Sequence, residues 1–174
     1  MAEVLLVIDM LNDFVLPGAP LEVPATRTIL PALQRRLAAA RQAGTPVVFV
    51  CDAHAPDDPE FSRMNWPPHA VRGTSGARIV DELAPRQGEP VVSKTSYSGF
   101  FGTELEATLR KLEAEDLVLT GCVTNICVLY TAADAAMRGY RVRVAADAVA
   151  SLDDAEGAFA LAQMERVLGV TVER

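Results

Sequence analysis

Several residue types are scarce in this sequence of 174 residues, and each scarcity argues against a class of protein. Three cysteines cannot pair completely and have no framework spacing, so we expect a reduced, cytoplasmic protein rather than a disulfide-stabilised secreted one. A net charge of -7 without any basic run argues against nucleic-acid binding. No apolar run is long enough to span a membrane, and the first one ends at Asp9, as expected for a strand rather than a signal peptide.

The pattern of the remaining residues predicts one α/β domain, residues 1–174. Half of the residues are hydrophobic, which is enough for a substantial core. Strand-like apolar runs occur near 4–9, 47–51, 91–94, 117–120, 142–146 and 170–172. Helical patterns occur near 25–43, 77–83, 103–114, 127–138 and 153–168. This alternation predicts a three-layer, doubly wound (Rossmann-like) fold with a six-stranded, mainly parallel sheet.

Three chemically different side chains follow predicted strands. Asp9 ends the first strand, Lys94 ends the third, and Cys127 follows the fourth strand after a glycine turn, where a helix is predicted to begin. Ligands of open α/β sheets bind at the carboxyl ends of the strands, so these side chains are expected to converge. A helix N-terminus is expected to lower the pKa of a thiol there, while Asp9 takes its proton and Lys94 balances its charge. Each residue alone has an ordinary structural explanation.

The long segment 52–75 contains both histidines of the chain, His54 and His69, and its single tryptophan, Trp66. Asp52 lies two residues before His54, and Glu60 lies between the histidines. Imidazole and carboxylate ligands suit zinc, iron and manganese, so Asp52, His54, Glu60 and His69 are predicted to bind a divalent metal. The alternative is that the histidines only order a surface loop. Trp66 is predicted to form a wall of the ligand pocket.

Together these residues indicate acyl transfer: thiol attack on an amide carbonyl, a thioester intermediate, and hydrolysis. The developing oxyanion requires hydrogen-bond donors. The backbone N–H groups of Cys127 and of the preceding turn, near Val123, are the candidates.

In its motifs the chain resembles the isochorismatase-like cysteine hydrolases, and within them the nicotinamidase/pyrazinamidase group. The resemblance covers nearly the whole chain and rests on segments 7–14, 52–54, 66–74, 94, 97–100 and 121–128. It implies the isochorismatase-like hydrolase fold and a catalytic triad of Asp9, Lys94 and Cys127. It also implies a cis peptide bond between Cys122 and Val123, which would direct N–H groups at the oxyanion.

The resemblance further implies that Phe14 and Trp66 sandwich a nicotinamide ring and that Tyr97 lines the pocket. Three features depart from the group. Glu60 stands where many nicotinamidases have a third histidine, Ile126 replaces a polar or aromatic residue, and only two residues separate Lys94 from Tyr97. The short segment after Lys94 is therefore where specificity would differ.

These observations favour a metal-containing cysteine amidohydrolase that converts nicotinamide to nicotinic acid and ammonia. The metal is expected to be Zn²⁺, with Fe²⁺ and Mn²⁺ as alternatives, and the partners are a small-molecule amide and further copies in a homo-oligomer. One alternative is the same triad acting on another small amide, ureido or carbamoyl compound. Another is a non-catalytic small-molecule binding domain, although no G-x-G-x-x-G motif follows the first strand.

Overall fold

The computed structural model describes residues 2–174 and contains one six-stranded sheet. The strands are β1 (Ala2–Ile8), β2 (Val47–Asp52), β3 (Val91–Lys94), β4 (Ala114–Cys122), β5 (Arg141–Ala150) and β6 (Thr171–Glu173). Their order is β3-β2-β1-β4-β5-β6, and every neighbouring pair is parallel. The predicted doubly wound sheet is confirmed.

Six α-helices connect or flank the strands: α1 (Asn12–Val15), α2 (Thr26–Ala43), α3 (Pro59–Met64), α4 (Leu105–Lys111), α5 (Leu129–Met137) and α6 (Asp154–Leu168). A 3₁₀ turn covers Asp81–Leu83, and a π-helical turn covers Thr124–Val128 immediately before α5. None of the helices described in residues 2–174 is both long and apolar enough to cross a membrane.

The two faces of the sheet bury separate hydrophobic cores. Alternate residues of β1 point to opposite faces, so Val7 packs in the core beneath α2, and Ile8 packs in the core beneath α4, α5 and α6. Leu33 and Leu37 of α2 complete the first core. Burial on both faces explains why the central strands are continuous apolar runs rather than alternating ones.

The strand order reverses between β1 and β4, where doubly wound folds bind ligands. Gly121, near the end of β4, is required at this point because its φ is +105° and any Cβ would overlap the carbonyl oxygen of Ile8. Close approach of the two backbones brings the residue after β1, Asp9, next to the turn that leads from β4 to Cys127.

The structure differs from the sequence prediction in four local features. The segment predicted as a helix near 77–83 forms only the short 3₁₀ turn, and the segment 52–75, predicted to be irregular, includes α3. Cys127 does not open a regular α-helix, because it is the fourth residue of the π-helical turn. β4 and β5 also extend beyond the predicted bounds, since parallel pairing continues to their carboxyl ends.

Candidate active site

Asp9 is buried at the end of β1 with a left-handed backbone, φ +51°. This conformation is uncommon for a residue with a side chain and costs about 1–3 kcal/mol. Two hydrogen bonds hold it: the Asp9 N–H donates to Val50 O at 2.9 Å, and the Asp52 N–H donates to Asp9 Oδ1 at 2.8 Å. Oδ1 of Asp9 therefore holds the side chain in place, and Oδ2 faces Lys94.

Lys94 lies at the centre of the buried charged groups. Its Nζ is 2.8 Å from Asp9 Oδ2, forms an ion pair with Asp52 Oδ1, and donates to Cys127 Sγ at 3.3 Å. Burial alone would lower the pKa of Lys94, but the carboxylates of Asp52 and Asp9 raise it well above its usual value. Lys94 is therefore a fixed positive charge beside the thiol.

Cys127 is almost fully buried, and burial raises the pKa of its thiol well above the usual value, although Lys94 acts in the opposite direction. The expectation that a helix N-terminus lowers this pKa is therefore wrong for the substrate-free protein. The thiol is neutral at rest, because desolvation and the nearby carboxylates of Asp9 and Asp52 outweigh the ammonium. Chemistry at Cys127 requires a base.

Asp9 is suited to be that base. Burial and the neighbouring Asp52 carboxylate raise the pKa of Asp9 to about 6, against the opposing effect of Lys94. Apart from the ion pair with Lys94, Asp9 Oδ2 has no hydrogen-bond partner, and an Asp9 oxygen lies within 4.8 Å of Cys127 Sγ. A proton acceptor with a pKa near neutrality is therefore next to the thiol. We call Asp9, Lys94 and Cys127 the thiol end of the site.

The predicted metal ligands also come together. Asp52, His54 and His69 are buried, and one potential ligand atom of each lies within 4.8 Å of the others. Glu60 is outside this tight group, but its Oε2 is 3.5 Å from His54 Nε2. The buried His54 Nε2 has no hydrogen-bond partner and lies 3.6 Å from Asp52 Oδ2. We call His54, Glu60 and His69 the imidazole end.

These donors fit a divalent cation. A buried imidazole nitrogen without a partner is costly, and two carboxylates directed at it supply the charge that a cation would neutralise. In both histidines Nδ1 is engaged and Nε2 is available, since His54 Nδ1 is 3.0 Å from Asp58 Oδ2 and His69 Nδ1 is 2.9 Å from Pro67 O. This is the arrangement that fixes ligating histidines.

Asp52 joins the two ends, a role that the sequence did not indicate. Its Oδ1 pairs with Lys94, while its Oδ2 faces His54 Nε2. Parallel pairing of β2 and β3 sets Asp52 directly beside Lys94. Burial raises the pKa of Asp52, but Lys94 and His54 lower it below its usual value overall, so the carboxylate is charged.

A pocket of about 350 Å³, its mouth included, opens above these groups. It is lined by Asp9, Phe14, Leu21, Asp52, Glu60, Trp66, His69, Tyr97, Cys122, Val123, Ile126 and Cys127. The aromatic residues named from sequence all line it, whereas Lys94 and His54 lie behind the lining. The candidate oxyanion residues Val123 and Cys127 adjoin the pocket, and the peptide bond between Cys122 and Val123 is cis, as the resemblance implied.

Three residues escaped the sequence reasoning. Leu21 contributes a pocket wall from the loop before α2, and no motif marks it. Asp13 accepts the Ala70 N–H at 2.8 Å and so ties the His69 segment to α1. Asp58 contacts His54, and its position four residues after His54 and just before Pro59 was the available signal.

The chain matches the isochorismatase domain over residues 3–174. The structure of N-carbamoylsarcosine amidase from Thermoplasma acidophilum is 38% identical, with a TM-score of 0.89 and coverage of 100% of this chain and 96% of that one. Nicotinamidase/pyrazinamidase PncA from Bacillus subtilis is 34% identical, with a TM-score of 0.93 and full coverage of both chains.

A third structure, the pyrazinamidase of Pyrococcus horikoshii in complex with zinc, is 30% identical, with a TM-score of 0.92 over 100% of this chain and 99% of that one. These similarities extend over the whole α/β fold and include the segments that form both ends of the site. The domain match and the structural agreement extend over almost the entire chain. The chain therefore belongs to the isochorismatase domain family.

Proposed function

We propose that this protein is a metal-dependent cysteine amidohydrolase and that its substrate is nicotinamide, which it converts to nicotinic acid and ammonia. The observation that carries the proposal is the buried contact of Lys94 with both Asp9 and Cys127 beside the pocket. A binding domain has no use for a thiol, a proton acceptor and a fixed cation in contact, whereas thioester chemistry requires all three.

In the first half-reaction Asp9 accepts the Cys127 proton while Sγ bonds to the carbonyl carbon of the amide. The N–H groups of Val123 and Cys127 donate to the oxyanion, and Lys94 balances the charge of the thiolate and the carboxylate. Asp9 then gives the proton to the amide nitrogen, the C–N bond breaks, and ammonia leaves. The acyl group remains on Cys127 as a thioester.

In the second half-reaction water attacks the thioester carbon while Asp9 accepts a proton from it. The C–S bond breaks, the carboxylic acid is released, and the proton returns to Sγ. Asp9 thus acts as base and acid in both halves, a role that suits a pKa of about 6.

Asp52, His54, Glu60 and His69 would hold the metal. When bound, a divalent cation would supply a Lewis acid for the ring nitrogen of nicotinamide and so help to direct the carboxamide toward Cys127. Zinc suits these ligands, and a pyrazinamidase of the same fold has been solved with zinc.

The pocket favours a flat aromatic amide. Its walls are apolar side chains of Phe14, Leu21, Trp66 and Ile126, and its charged lining residues are acidic. No arginine or lysine is among the lining residues in the described part of the chain. A flat aromatic ring gains contact area with Phe14 and Trp66 in such a pocket.

A second candidate is the same triad acting on a small ureido or carbamoyl compound. It is supported by the 38% identity to an N-carbamoylsarcosine amidase and by the two-residue spacing between Lys94 and Tyr97. The short spacing alters the wall that Tyr97 forms, and therefore the shape of the space beside the thiol.

The test is ammonia release by the purified, zinc-supplemented protein from nicotinamide, pyrazinamide and an N-carbamoyl amino acid, with Cys127→Ala in parallel. We expect release from nicotinamide that disappears in the variant. Release from the carbamoyl compound alone would transfer the assignment to the second candidate. Release from none of these amides by a folded protein would contradict both.

A further inference from the structure

Asp58, in the loop before α3, uses its two carboxylate oxygens for two separate contacts. Oδ1 accepts the backbone N–H of Glu60 at 2.9 Å, and Oδ2 is 3.0 Å from Nδ1 of His54. The side chain is only 14% exposed, so water competes weakly for either contact. Both contacted residues belong to the candidate metal site.

The first contact begins the helix that carries Glu60. Asp58 is the N-cap of α3, and Pro59 occupies the first helical position, where its missing N–H is no loss. Because α3 is only six residues long, its first turn depends strongly on this cap. The cap therefore holds Glu60 in the position from which its Oε2 approaches His54 Nε2.

The second contact selects the form of His54 that can bind a metal. A carboxylate oxygen accepts a hydrogen bond, so Nδ1 keeps its proton and Nε2 is the nitrogen that can offer a lone pair to a metal. His54 Nε2 is buried, has no hydrogen-bond partner, and lies 3.5–3.6 Å from oxygens of Glu60 and Asp52. The free nitrogen is thus directed at the other ligands.

We propose that Asp58 is a positioning residue that pre-organises two metal ligands at once, the imidazole of His54 and the carboxylate of Glu60. The inference rests on the metal site of the proposed function. Asp58 touches neither the substrate pocket nor the thiol end, so its effect reaches the reaction only through the metal ligands.

His69 supplies an internal reference. Its Nδ1 faces the backbone carbonyl of Pro67 at 2.9 Å, which no side-chain substitution removes. Changes at Asp58 are therefore expected to alter His54 and leave His69 unaffected. Since these are the only histidines in the chain, their imidazole nitrogens are easily distinguished by NMR.

The experiment measures the Zn²⁺ affinity of the full-length apoprotein by competition with a chelating dye, for the parent, Asp58→Asn and Asp58→Ser. Both variants keep an oxygen that can cap α3, but neither offers Nδ1 of His54 a carboxylate. The matched control is Asp57→Asn, which removes an equal charge from the adjacent, exposed residue. We expect Zn²⁺ affinity to fall about 10–100-fold in the Asp58 variants and to stay within about twofold in the control.

Two further readouts separate positioning from a general structural role. Thermal unfolding of the apoproteins should be nearly unchanged in Asp58→Asn and Asp58→Ser, because the cap survives. In the zinc-loaded parent, ¹⁵N NMR should find the proton of His54 on Nδ1, and this signal should change in Asp58→Asn while that of His69 does not.

Unchanged Zn²⁺ affinity in the Asp58 variants would overturn the inference while leaving the metal site intact. A loss of affinity equal to that of Asp57→Asn would also overturn it, since charge alone would then explain the effect. A parent protein that binds no Zn²⁺ would overturn the metal site together with this inference. The assay of ammonia release would still test the thiol chemistry on its own.

Discussion

The thiol end and the imidazole end of the site are equally buried, but their polar groups are satisfied in different ways. At the thiol end Lys94 contacts Asp9, Asp52 and Cys127, so the ionic groups are paired within the protein. At the imidazole end the buried His54 Nε2 has no hydrogen-bond partner, and the carboxylates of Asp52 and Glu60 lie 3.5–3.6 Å from it, farther than the 2.8 Å between Lys94 Nζ and Asp9 Oδ2. This difference supports the proposed cation site at the imidazole end, because the groups of the thiol end are already paired with one another.

The two ends also differ in what supports them. Asp9 and Lys94 are attached to strand ends, where backbone pairing of the sheet sets their positions. His54, Glu60 and His69 are carried by the segment between β2 and β3, and local contacts from Asp13, Asp58 and Pro67 hold them. Substitutions should therefore affect the two ends in different ways.

The largest effect is expected at the thiol end from Cys127→Ala, which should abolish ammonia release and leave the fold intact, because it removes the nucleophile and few packing contacts. Ammonia assays and circular dichroism check this. Cys51→Ala is the matched control: it removes another buried thiol, outside the pocket lining, and should retain turnover at a cost of about 1 kcal/mol in stability. Residual activity in Cys127→Ala would assign the nucleophile elsewhere.

Lys94→Met should reduce both turnover and stability, since Asp9 and Asp52 would then be buried close together without a counter-charge. Removing one partner of a buried ion pair typically costs about 3–5 kcal/mol. Urea unfolding of the parent and the variant measures this. Lys111→Met, at an exposed position, provides the comparison. If Lys94→Met lost no more stability than Lys111→Met, the buried ammonium of Lys94 would not be needed to stabilise the fold.

Asp52→Asn and His54→Ala should have different effects on the thiol end and the imidazole end. Both are expected to lose bound metal, measured by atomic emission after dialysis. Asp52→Asn should also speed alkylation of Cys127, because the Asp52 carboxylate raises the pKa of that thiol and pairs with Lys94, whereas His54 does not contact Lys94 or Cys127. Equal alkylation rates in the two variants would contradict a shared role for Asp52.

The smallest effect is expected from the pocket wall. Trp66→Ala should raise KM for nicotinamide about tenfold with little change in kcat, because an aromatic contact of about 1.4 kcal/mol would be lost from ground state and transition state alike. Steady-state kinetics with nicotinamide and with a small aliphatic amide provide the check. A fall in kcat with unchanged KM would instead give Trp66 a role in the chemical step.

The fold and the thiol end were predictable from sequence because both follow from strand periodicity. Asp9, Lys94 and Cys127 follow apolar runs, and parallel strands bring their carboxyl ends to one edge. The candidate metal ligands were recognisable from the presence of two histidines in one segment. Trp66 was indicated by its place in the segment of the two histidines, whereas Phe14 and Tyr97 came from the family resemblance, which the domain match over residues 3–174 confirms.

The remaining features depend on three-dimensional context. The raised pKa of Cys127 results from burial and from two carboxylates that arrive on other strands, which local sequence around the thiol does not reveal. The dual role of Asp52 depends on the register between β2 and β3, and the wall formed by Leu21 depends on how a loop crosses the pocket. Asp58 alone had a local signal, the Asp-Pro pair at the start of α3.

The most direct test of the central claim, that Cys127 is the nucleophile held by Asp9 and Lys94, is the alkylation rate of each cysteine, followed by peptide mass mapping with and without nicotinamide. The account predicts that Cys127 reacts fastest, since Asp9 beside it can accept its proton and Lys94 then balances the thiolate, and that nicotinamide protects it selectively. Equal, slow labelling of Cys51, Cys122 and Cys127, without protection, would contradict the claim.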